Sequence, residues 1–320
     1  MEFALIDAIR RRTALARTDV LLGIGDDAAV LEVPPGQALV AAIDTLVAGV
    51  HFPLDTAAAD IGWKALAVNL SDLAAMGAEP AWALLALTLP QPDAAFVDGL
   101  AEGFLALAAP HRVALVGGDT TRGPLALSVA VHGFVPPGMA LTRAGARVDD
   151  VVMVTGTLGD AAAGLRCVQT RVVVAPPLRA ALVARLNRPT PRLAAGLALR
   201  GLASACLDVS DGLLADLGHI CDRSQVGAEI EAARLPLSPA LRQAFALDAA
   251  RDFALAGGDD YELCFTVPPG KVDDAVAALA TSGTPATVIG RIVSGSSVRV
   301  QMPDGAWIAP AHRGWDHFSP

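Results

Sequence analysis

The chain has 320 residues, of which 53% are hydrophobic, and its net charge is −9. This length exceeds that of a usual single core, so two domains are expected. No run of lysine and arginine is longer than Arg10 to Arg12, so the electrostatic pattern of a nucleic-acid-binding protein is missing. The longest stretch without charged side chains, residues 124–142, is interrupted by glycine and proline, which argues against a membrane span.

The start of the chain, MEFALIDAIRRR, carries an acidic residue at once and does not resemble a secretory signal. We therefore expect a soluble, cytoplasmic protein that binds neither nucleic acid nor membranes. The four cysteines are isolated from one another and form no C-x-x-C pair, which argues against zinc and against a disulfide framework. Buried free thiols are the expected state of Cys167, Cys206, Cys221 and Cys264.

The first part of the chain alternates strand-like and helix-like patterns, after an amphipathic segment with Phe3, Ile6 and Ile9. On the helical pattern of residues 57–76, the side chains of Asn69 and Asp72 project together because they are three residues apart. The apolar patterns predict strands at residues 20–22, 39–43, 81–89, 113–116 and 125–135, and helices at 57–76 and 93–109. Asp27, Asp44 and Asp119 would then each follow a strand.

Pro136-Pro137-Gly138 marks the predicted domain boundary, because these residues continue neither a central strand nor a helix. The predicted domains are residues 1–137 and 138–320. The second half again mixes both kinds of element, so the fold class is α/β (α+β) throughout. Its predicted strands cover residues 151–154, 203–207, 261–267, 287–292 and 298–302, and its predicted helices begin in TGTLGDAAAGL or cover residues 192–200, 213–220 and 272–279.

Six short stretches set an aspartate against glycine or a hydroxyl side chain. They are GIGDD (23–27), DTLVAGVHF (44–52), NLSD (69–72), GGDTTRG (117–123), DVSDG (208–212) and GGDDYE (257–262). Each aspartate alone is also typical of a turn or a helix cap. Gathered carboxylates repel by roughly 4 kcal/mol per pair at about 4 Å, so together they indicate bound cations. Oxygen ligands of this kind suit Mg²⁺, which usually binds together with substrate phosphates.

One of these stretches also matches the dinucleotide fingerprint G-x-G-x-x-A through Gly23, Gly25 and Ala28. Asp26 and Asp27 would put negative charge where the pyrophosphate belongs, and the residues that follow favour a strand rather than a helix. A Rossmann site is therefore disfavoured. No G-x-x-x-x-G-K-[ST] sequence occurs, so the chain has no P-loop.

Asp211 and Gly212 stand just before a predicted helix, where free backbone N–H groups and the positive end of the helix dipole favour phosphate. Ser210 would cap that helix or donate to a nucleotide. By residue type alone, His51 is also typical of a strand end, Arg143 of a solvated loop and Trp315 of a terminal packing anchor.

Read together and in order, GIGDDAAV, DTLVAGVHF, NLSDLAAMGA, GGDTTRGP, LTRAGA, VTGTLGDAAAGL, LDVSDGL, GGDDYELCFT and GWDHF closely resemble the thiamine-monophosphate kinase family. The resemblance covers almost the whole chain. It implies the fold shared with aminoimidazole ribonucleotide synthetase, with an N-terminal α/β domain that pairs strands across a homodimer and a C-terminal α/β domain. It also implies ATP-dependent phosphorylation of thiamine monophosphate to thiamine diphosphate.

The resemblance assigns roles to positions that match the family motifs. The implied Mg²⁺ ligands are Asp27, Asp44, Asp72, Asp119, Asp208 and Asp211. The implied ATP contacts are Gly118, Asp119, Arg143 and Ser210, and the implied substrate contacts are His51, Glu262 and Trp315. The four aspartates of the first domain would face the two of the second across one nucleotide site, while Asp259 and Asp260 would only shape a turn. Ala42 and Ile43 depart from the hydroxyl pair common in the family, so they supply no side-chain ligand.

No general base is expected, because the acceptor is itself a phosphate with a second pKa near 6 and is already largely dianionic. Selenophosphate synthetase is disfavoured because no cysteine precedes Cys167, and the hydrogenase-maturation relative because the sequence ends in HFSP. Two alternatives stay open: an ATP-dependent enzyme like aminoimidazole ribonucleotide synthetase, and a nucleotide-binding regulator without turnover.

Overall fold

The computed structural model describes residues 9–10, 12–13, 17–169, 172–309 and 314–315. Phe3 and Ile6 of the predicted amphipathic segment lie outside the described residues, as do the last three residues of GWDHF. The chain divides into two compact units. The first unit ends at Gly138 and leaves out Ala74–Gly77, and the second unit takes those four residues and the chain from Met139 onward.

The elements with described bounds in the first unit are a four-stranded sheet, the helices Ala58–Ala75 and Ala94–Ala108, and a separate antiparallel pair of short strands. Only the pairing of β4 with β5 is parallel. The sheet order is β3-β6-β4-β5, so β3 and β5 are its edges. The elements are β1 (Val20–Leu22), β2 (Val30–Leu31), β3 (Ala38–Val47), α1 (Ala58–Ala75), β4 (Glu79–Leu89), α2 (Ala94–Ala108), β5 (Ala114–Arg122) and β6 (Ala126–Val135).

Helix α1 buries the apolar face that its sequence predicts, with Leu66, Leu70 and Leu73 fully buried. It packs closely against α2 because both helices carry a glycine at the contact. A Cβ atom on Gly62 would lie 2.0 Å from the carbonyl oxygen of Leu100, and one on Gly103 would lie 1.7 Å from that of Ala59. The two backbones therefore touch directly, without side chains between them.

Two strands are longer than predicted, and this corrects the expected position of two aspartates. Asp44 lies inside β3, paired with Val129, and Asp119 lies inside β5, paired with Ala86. Gly118 lets β5 pass close to β4 at this point. With φ 153°, a Cβ there would come within 1.9 Å of the carbonyl oxygen of Leu85.

The second unit is built on a seven-stranded sheet in the order β13-β12-β9-β11-β7-β10-β8. All neighbours are antiparallel except β9 and β12. The strands are β7 (Val151–Thr155), β8 (Ala205–Asp208), β9 (Gly227–Glu231), β10 (Leu263–Val267), β11 (Ala286–Val293), β12 (Val298–Gln301) and β13 (Trp307–Ile308). The helices are α3 (Asp160–Gln169), α4 (Pro176–Asn187), α5 (Leu193–Ala198), α6 (Leu213–Ser224), α7 (Pro239–Ala244), α8 (Leu247–Ala256) and α9 (Val272–Thr281).

Helices α4, α7 and α8 and strands β9 and β13 were not predicted. Helix α4 begins with two prolines and buries only Leu182 and Leu186, so its apolar periodicity is weak. The four cysteines are buried and unpaired with one another, as expected from their spacing. None of the helices among the described ranges is both long enough and apolar enough to cross a bilayer.

Candidate active site

In the first unit, Asn69 connects the strand that carries Asp44 to the helix that carries Asp72. The side-chain oxygen of the buried Asn69 accepts from the backbone N–H of Asp44 at 2.9 Å, and its amide nitrogen donates to the carbonyl of Ala65 at 2.9 Å. Asp72 follows three residues later on α1 and projects from the same side. Asp44 and Asp72 are both half-buried, so this arrangement leaves part of each residue accessible.

Asp119 does not share the position of Asp44. The two residues lie on opposite edges of the four-stranded sheet, three strand spacings or roughly 14 Å apart. The strand register aligns Asp119 with Ala86, Ser128 and Thr45, so its side chain belongs to the face opposite that of Asp44. One copy of the first unit therefore cannot use both carboxylates on a single ion.

Contacts in the loop after β3 fix the tautomer of the His51 ring. Its Nδ1 atom accepts the backbone N–H of Val47 at 3.0 Å, and its carbonyl oxygen accepts from the buried Lys64 ammonium at 3.0 Å. A ring nitrogen that accepts carries no proton, so the imidazole proton is on Nε2. His51 is therefore prepared to donate a hydrogen bond through Nε2.

Three further predicted residues are exposed. Asp27 lies in a bend between β1 and β2, and its backbone N–H donates to the carboxylate of Asp26 at 2.9 Å. Gly118 is exposed on the edge strand β5. Arg143 is exposed in the segment before β7, and its carbonyl accepts from the hydroxyl of Ser224.

In the second unit, the segment after β8 gathers most of the predicted site residues. Strand β8 ends at the buried Asp208, and the loop that follows carries Ser210 and Asp211. Trp315, whose surface is 56% exposed, is attached to this loop. The backbone hydrogen bonds run from Asp259 N to Ser210 O (2.8 Å), from Tyr261 N to Val209 O (2.8 Å) and from Trp315 N to Asp211 O (2.9 Å).

The loop N–H groups that were expected to be free for phosphate are already used. The Oδ2 atom of Asp216 accepts the backbone N–H groups of Ser210, Asp211 and Gly212 at 3.0, 3.1 and 3.1 Å. Burial, and then the carboxylates of Asp208 and Asp211, raise the pKa of Asp216 to about 8. This corrects the sequence interpretation: the start of α6 presents side chains to a ligand rather than open backbone donors.

Glu262 is fully buried and its carboxylate is saturated. Its Oε1 accepts from Arg192 Nη2 at 2.5 Å and Arg185 Nη2 at 2.9 Å, and its Oε2 accepts from Arg192 Nε at 2.6 Å and Thr155 Oγ1 at 2.7 Å. Gly156 lies directly against it, since a Cβ there would be 2.1 Å from Oε1. In this arrangement Glu262 offers no spare acceptor, so the predicted contact with substrate requires one donor to leave.

The neighbouring acidic residues do shape the turn, as the sequence suggested. Asp259 and Tyr261 have φ of 69° and 51°, in the left-handed region that non-glycine residues rarely adopt. Asp260 is buried, and its Oδ2 accepts the backbone N–H of Gly159 at 2.7 Å, just before α3. Burial raises the pKa of Asp260 well above its usual range.

Sequence reasoning missed Asp216, Arg185 and Arg192. Asp216 follows DVSDG within the same motif, and a third acid beside two supposed ligands was the available signal. Arg192 ends the string RPTPR, which was read only as the start of a helix. Nothing in the residue spacing links either arginine to Glu262, because the contact joins positions 70 and 77 residues apart.

The acidic residues fit Mg²⁺ that arrives with phosphates better than a metal held by protein alone. Within the described part of the chain, no three histidine, cysteine or acidic side chains are close enough to hold a metal ion. Mg²⁺ is commonly held by one or two carboxylates together with substrate phosphates. The pKa of Asp216 is raised mainly by burial and secondly by the charges of Asp208 and Asp211, and a cation would relieve this second effect.

Comparison with known proteins finds close relatives of this chain among the thiamine-monophosphate kinases. The thiamine-monophosphate kinase of Escherichia coli K12 is 48% identical over 319 residues, which cover 99% of this chain and 98% of the relative. The chain belongs to the thiamine-monophosphate kinase family. Within this family, the crystal structure of the enzyme from Stenotrophomonas maltophilia is 53% identical and superposes with a TM-score of 0.88, covering 97% of this chain and 98% of the other.

The same kinase family falls within a broader group of proteins that share its two domains. Residues 25–135 match the N-terminal domain of AIR synthase related proteins, and residues 147–303 match the C-terminal domain. A further solved structure, AaThiL complexed with AMPPCP and TMP, is 34% identical with a TM-score of 0.78, covering 99% of this chain and 97% of the other. The predicted two-domain fold of the thiamine-monophosphate kinases is thus confirmed.

Proposed function

We propose that this protein transfers the terminal phosphoryl group of ATP directly to the phosphate of thiamine monophosphate, which yields thiamine diphosphate. This would be the last step of thiamine diphosphate biosynthesis. The observation that carries the proposal is the relative AaThiL, which holds AMPPCP and TMP in one complex and matches this chain over nearly its full length. AMPPCP is an ATP analogue, so donor and acceptor occupy the relative together.

Mg²⁺ is the proposed cofactor, with Asp27, Asp44, Asp72, Asp119, Asp208 and Asp211 as the proposed ligands. Bound Mg²⁺ neutralises phosphate oxygens and thereby reduces the repulsion between two polyanionic substrates. The separation of Asp119 from Asp44 across the sheet supports several ions rather than one.

The proposed ATP contacts are Gly118, Asp119, Arg143 and Ser210. The exposed guanidinium of Arg143 can pair with phosphate oxygens, for which its planar set of donors is suited. Ser210 contributes a hydroxyl donor from a loop that three backbone hydrogen bonds fix to Asp216. Gly118 is exposed on the edge strand β5, where a ligand can approach its backbone.

The proposed substrate contacts are His51, Trp315 and Glu262. His51 donates through Nε2 and orients the acceptor, and the exposed ring of Trp315 offers a surface for an aromatic ring of thiamine. No residue is assigned as a general base, because the phosphate acceptor is already ionised at neutral pH. Glu262 can contact the substrate only if Arg185 or another donor releases it.

A homodimer formed through the first unit, in the cytoplasm, completes the proposal. The face of the sheet opposite α1 exposes apolar side chains on the edge strand β3, with Leu39 47% and Ile43 65% exposed. Exposed apolar residues on a sheet edge are typical of a surface that pairs with another chain.

The dimer is tested by sedimentation of an Ile43→Lys variant, which should show monomers where the wild type shows dimers. An unchanged dimer would contradict pairing through this face.

The function is tested by incubating the purified protein with ATP, Mg²⁺ and thiamine monophosphate. We expect thiamine diphosphate and ADP in equal amounts. Binding of ATP without formation of thiamine diphosphate would instead identify a nucleotide-binding regulator.

A further inference from the structure

Three consecutive backbone N–H groups converge on one carboxylate oxygen at the start of α6. Ser210, Asp211 and Gly212 all donate to Oδ2 of Asp216, which is 3% exposed. These bonds are charge-assisted when the carboxylate is ionised, and together they fix the backbone of three successive residues. Asp216 therefore determines the conformation of this loop more directly than any other side chain with a described contact to it.

The loop has little freedom to adopt another conformation. Gly212 has φ 125°, and a Cβ there would lie 2.9 Å from the backbone of Ala256. The carbonyl of Ser210 accepts from Asp259, and the carbonyl of Asp211 accepts from Trp315. Both sides of the loop backbone are thus bonded, donors to Asp216 and acceptors to neighbouring segments.

We propose that Asp216 is a positioning residue for the nucleotide and its metal ions. It contacts no ligand itself, and acts by holding the hydroxyl of Ser210 and the carboxylate of Asp211 where they can meet Mg²⁺ and ATP. This inference rests on the proposed roles of Ser210 and Asp211. Groups that orient metal ligands in this way commonly affect metal affinity or activity by about 10- to 100-fold.

A purely structural role for Asp216 makes a different prediction. A carboxylate that only stabilises the start of a helix contributes to the free energy of unfolding. Its loss would lower the unfolding midpoint but would leave Mg²⁺ dependence and the KM for ATP unchanged in the protein that remains folded. The two roles can therefore be separated by kinetics at a temperature where the variant is folded.

The test is the Asp216→Asn variant, which keeps the size of the side chain but replaces one carboxyl oxygen with an amide nitrogen. We expect the Mg²⁺ concentration for half-maximal rate and the KM for ATP to rise by about tenfold, with a smaller change in the KM for thiamine monophosphate. The matched control is Asp222→Asn, an exposed residue on the same helix, which should behave as the wild type.

Wild-type Mg²⁺ dependence and KM for ATP in folded Asp216→Asn would overturn the proposal, as would a loss of stability alone. If Asp216→Asn does not fold, Asp216→Glu keeps a carboxylate but displaces it, and the same kinetic changes are expected. If the wild type makes no thiamine diphosphate, the proposed function has failed. Calorimetric titration of wild type and variant with Mg²⁺ and ATP would still decide the positioning role, with equal affinities overturning it.

Discussion

The two units hold their acidic residues in opposite ways. In the first unit, Asp27 and Asp119 are exposed and Asp44 and Asp72 are half-buried. In the second unit, Asp216, Asp260 and Glu262 are buried and accept hydrogen bonds from backbone N–H groups or arginines. Burial and the number of donors thus separate carboxylates that organise the protein from those that remain available to ions.

The difference has a simple energetic origin. A buried charge is costly unless paired and hydrogen-bonded, so Glu262 is stable only inside its shell of two arginines and Thr155. An exposed carboxylate such as Asp119 needs no such shell. It remains hydrated until a cation replaces the water, which is what a site for exchangeable Mg²⁺ requires.

The largest effect is expected from Glu262→Gln. An amide cannot compensate the charges of Arg185 and Arg192, so the free energy of unfolding should fall by about 3–5 kcal/mol, as when one partner of a buried ion pair is removed. Denaturant unfolding measures this change. The control is Glu231→Gln, whose ion pair with Arg234 is exposed and should contribute about 0–1 kcal/mol. An equal fall in the free energy of unfolding in both variants would contradict the distinction between buried, fully bonded carboxylates and exposed ones.

Next in size is the effect of Asp44→Asn on turnover in the first unit. We expect the rate to fall by about a hundredfold or more, the scale on which a single electrostatic group acts in a catalytic site. The fold should stay intact, because Asn69 bonds to the backbone of Asp44. Asp55→Asn, at an exposed position of the same unit, is the control. Near-wild-type activity of both Asp44→Asn and Asp72→Asn at limiting Mg²⁺ would refute the metal assignment.

A smaller change is expected from His51→Ala. Loss of one hydrogen bond to a charged phosphate should raise the KM for thiamine monophosphate by about tenfold. The pH profile of the chemical step should stay the same, because Nδ1 is occupied by Val47 N–H and the proton on Nε2 is donated, not abstracted. If the variant instead lost a titration in the rate of that step, His51 would be a base.

The smallest effect is expected from a substitution of Asp19, a partly buried carboxylate of the first unit. Hydrogen bonds from Arg17 lower the pKa of Asp19 in the folded state, against the effect of burial. A lowered folded pKa stabilises the protein above the unfolded value of 3.8, and this contribution is lost as the pH falls through the folded pKa. Asp19→Asn should therefore lower the free energy of unfolding by about 1 kcal/mol at pH 7, the scale of a well-formed ion pair near the surface, and leave it unchanged in strong acid.

Unfolding measured at both pH values tests this prediction. The control is Asp98→Asn, whose ion pair with Arg12 is about half exposed, and which should change stability little at either pH. If Asp19→Asn lowered the free energy of unfolding equally at neutral and acid pH, the packing of Asp19 and not its charge would account for its contribution to stability.

Periodicity predicted the elements that have a clear apolar face, such as α1 and the long strand β6. It failed where the pattern was interrupted: α4 begins in prolines, and β9 begins in glycine. The motif strings located the candidate site but could not rank its carboxylates, since an aspartate beside glycine looks the same whether it is buried or exposed. Arg185 and Arg192 were out of reach because their contact with Glu262 depends on tertiary packing.

The contact between α1 and α2 has a consequence for the candidate site, although it lies away from it. Only hydrogen atoms on Gly62 and Gly103 separate the two helix backbones, so the spacing of these helices has a hard lower limit and no adjustable side chain. Helix α1 carries Asn69 and Asp72, and Asn69 bonds to β3 at Asp44. A single methyl group at position 103 would therefore push α1 away from α2. This would shift the proposed ligands Asp72 and Asp44 without changing either residue.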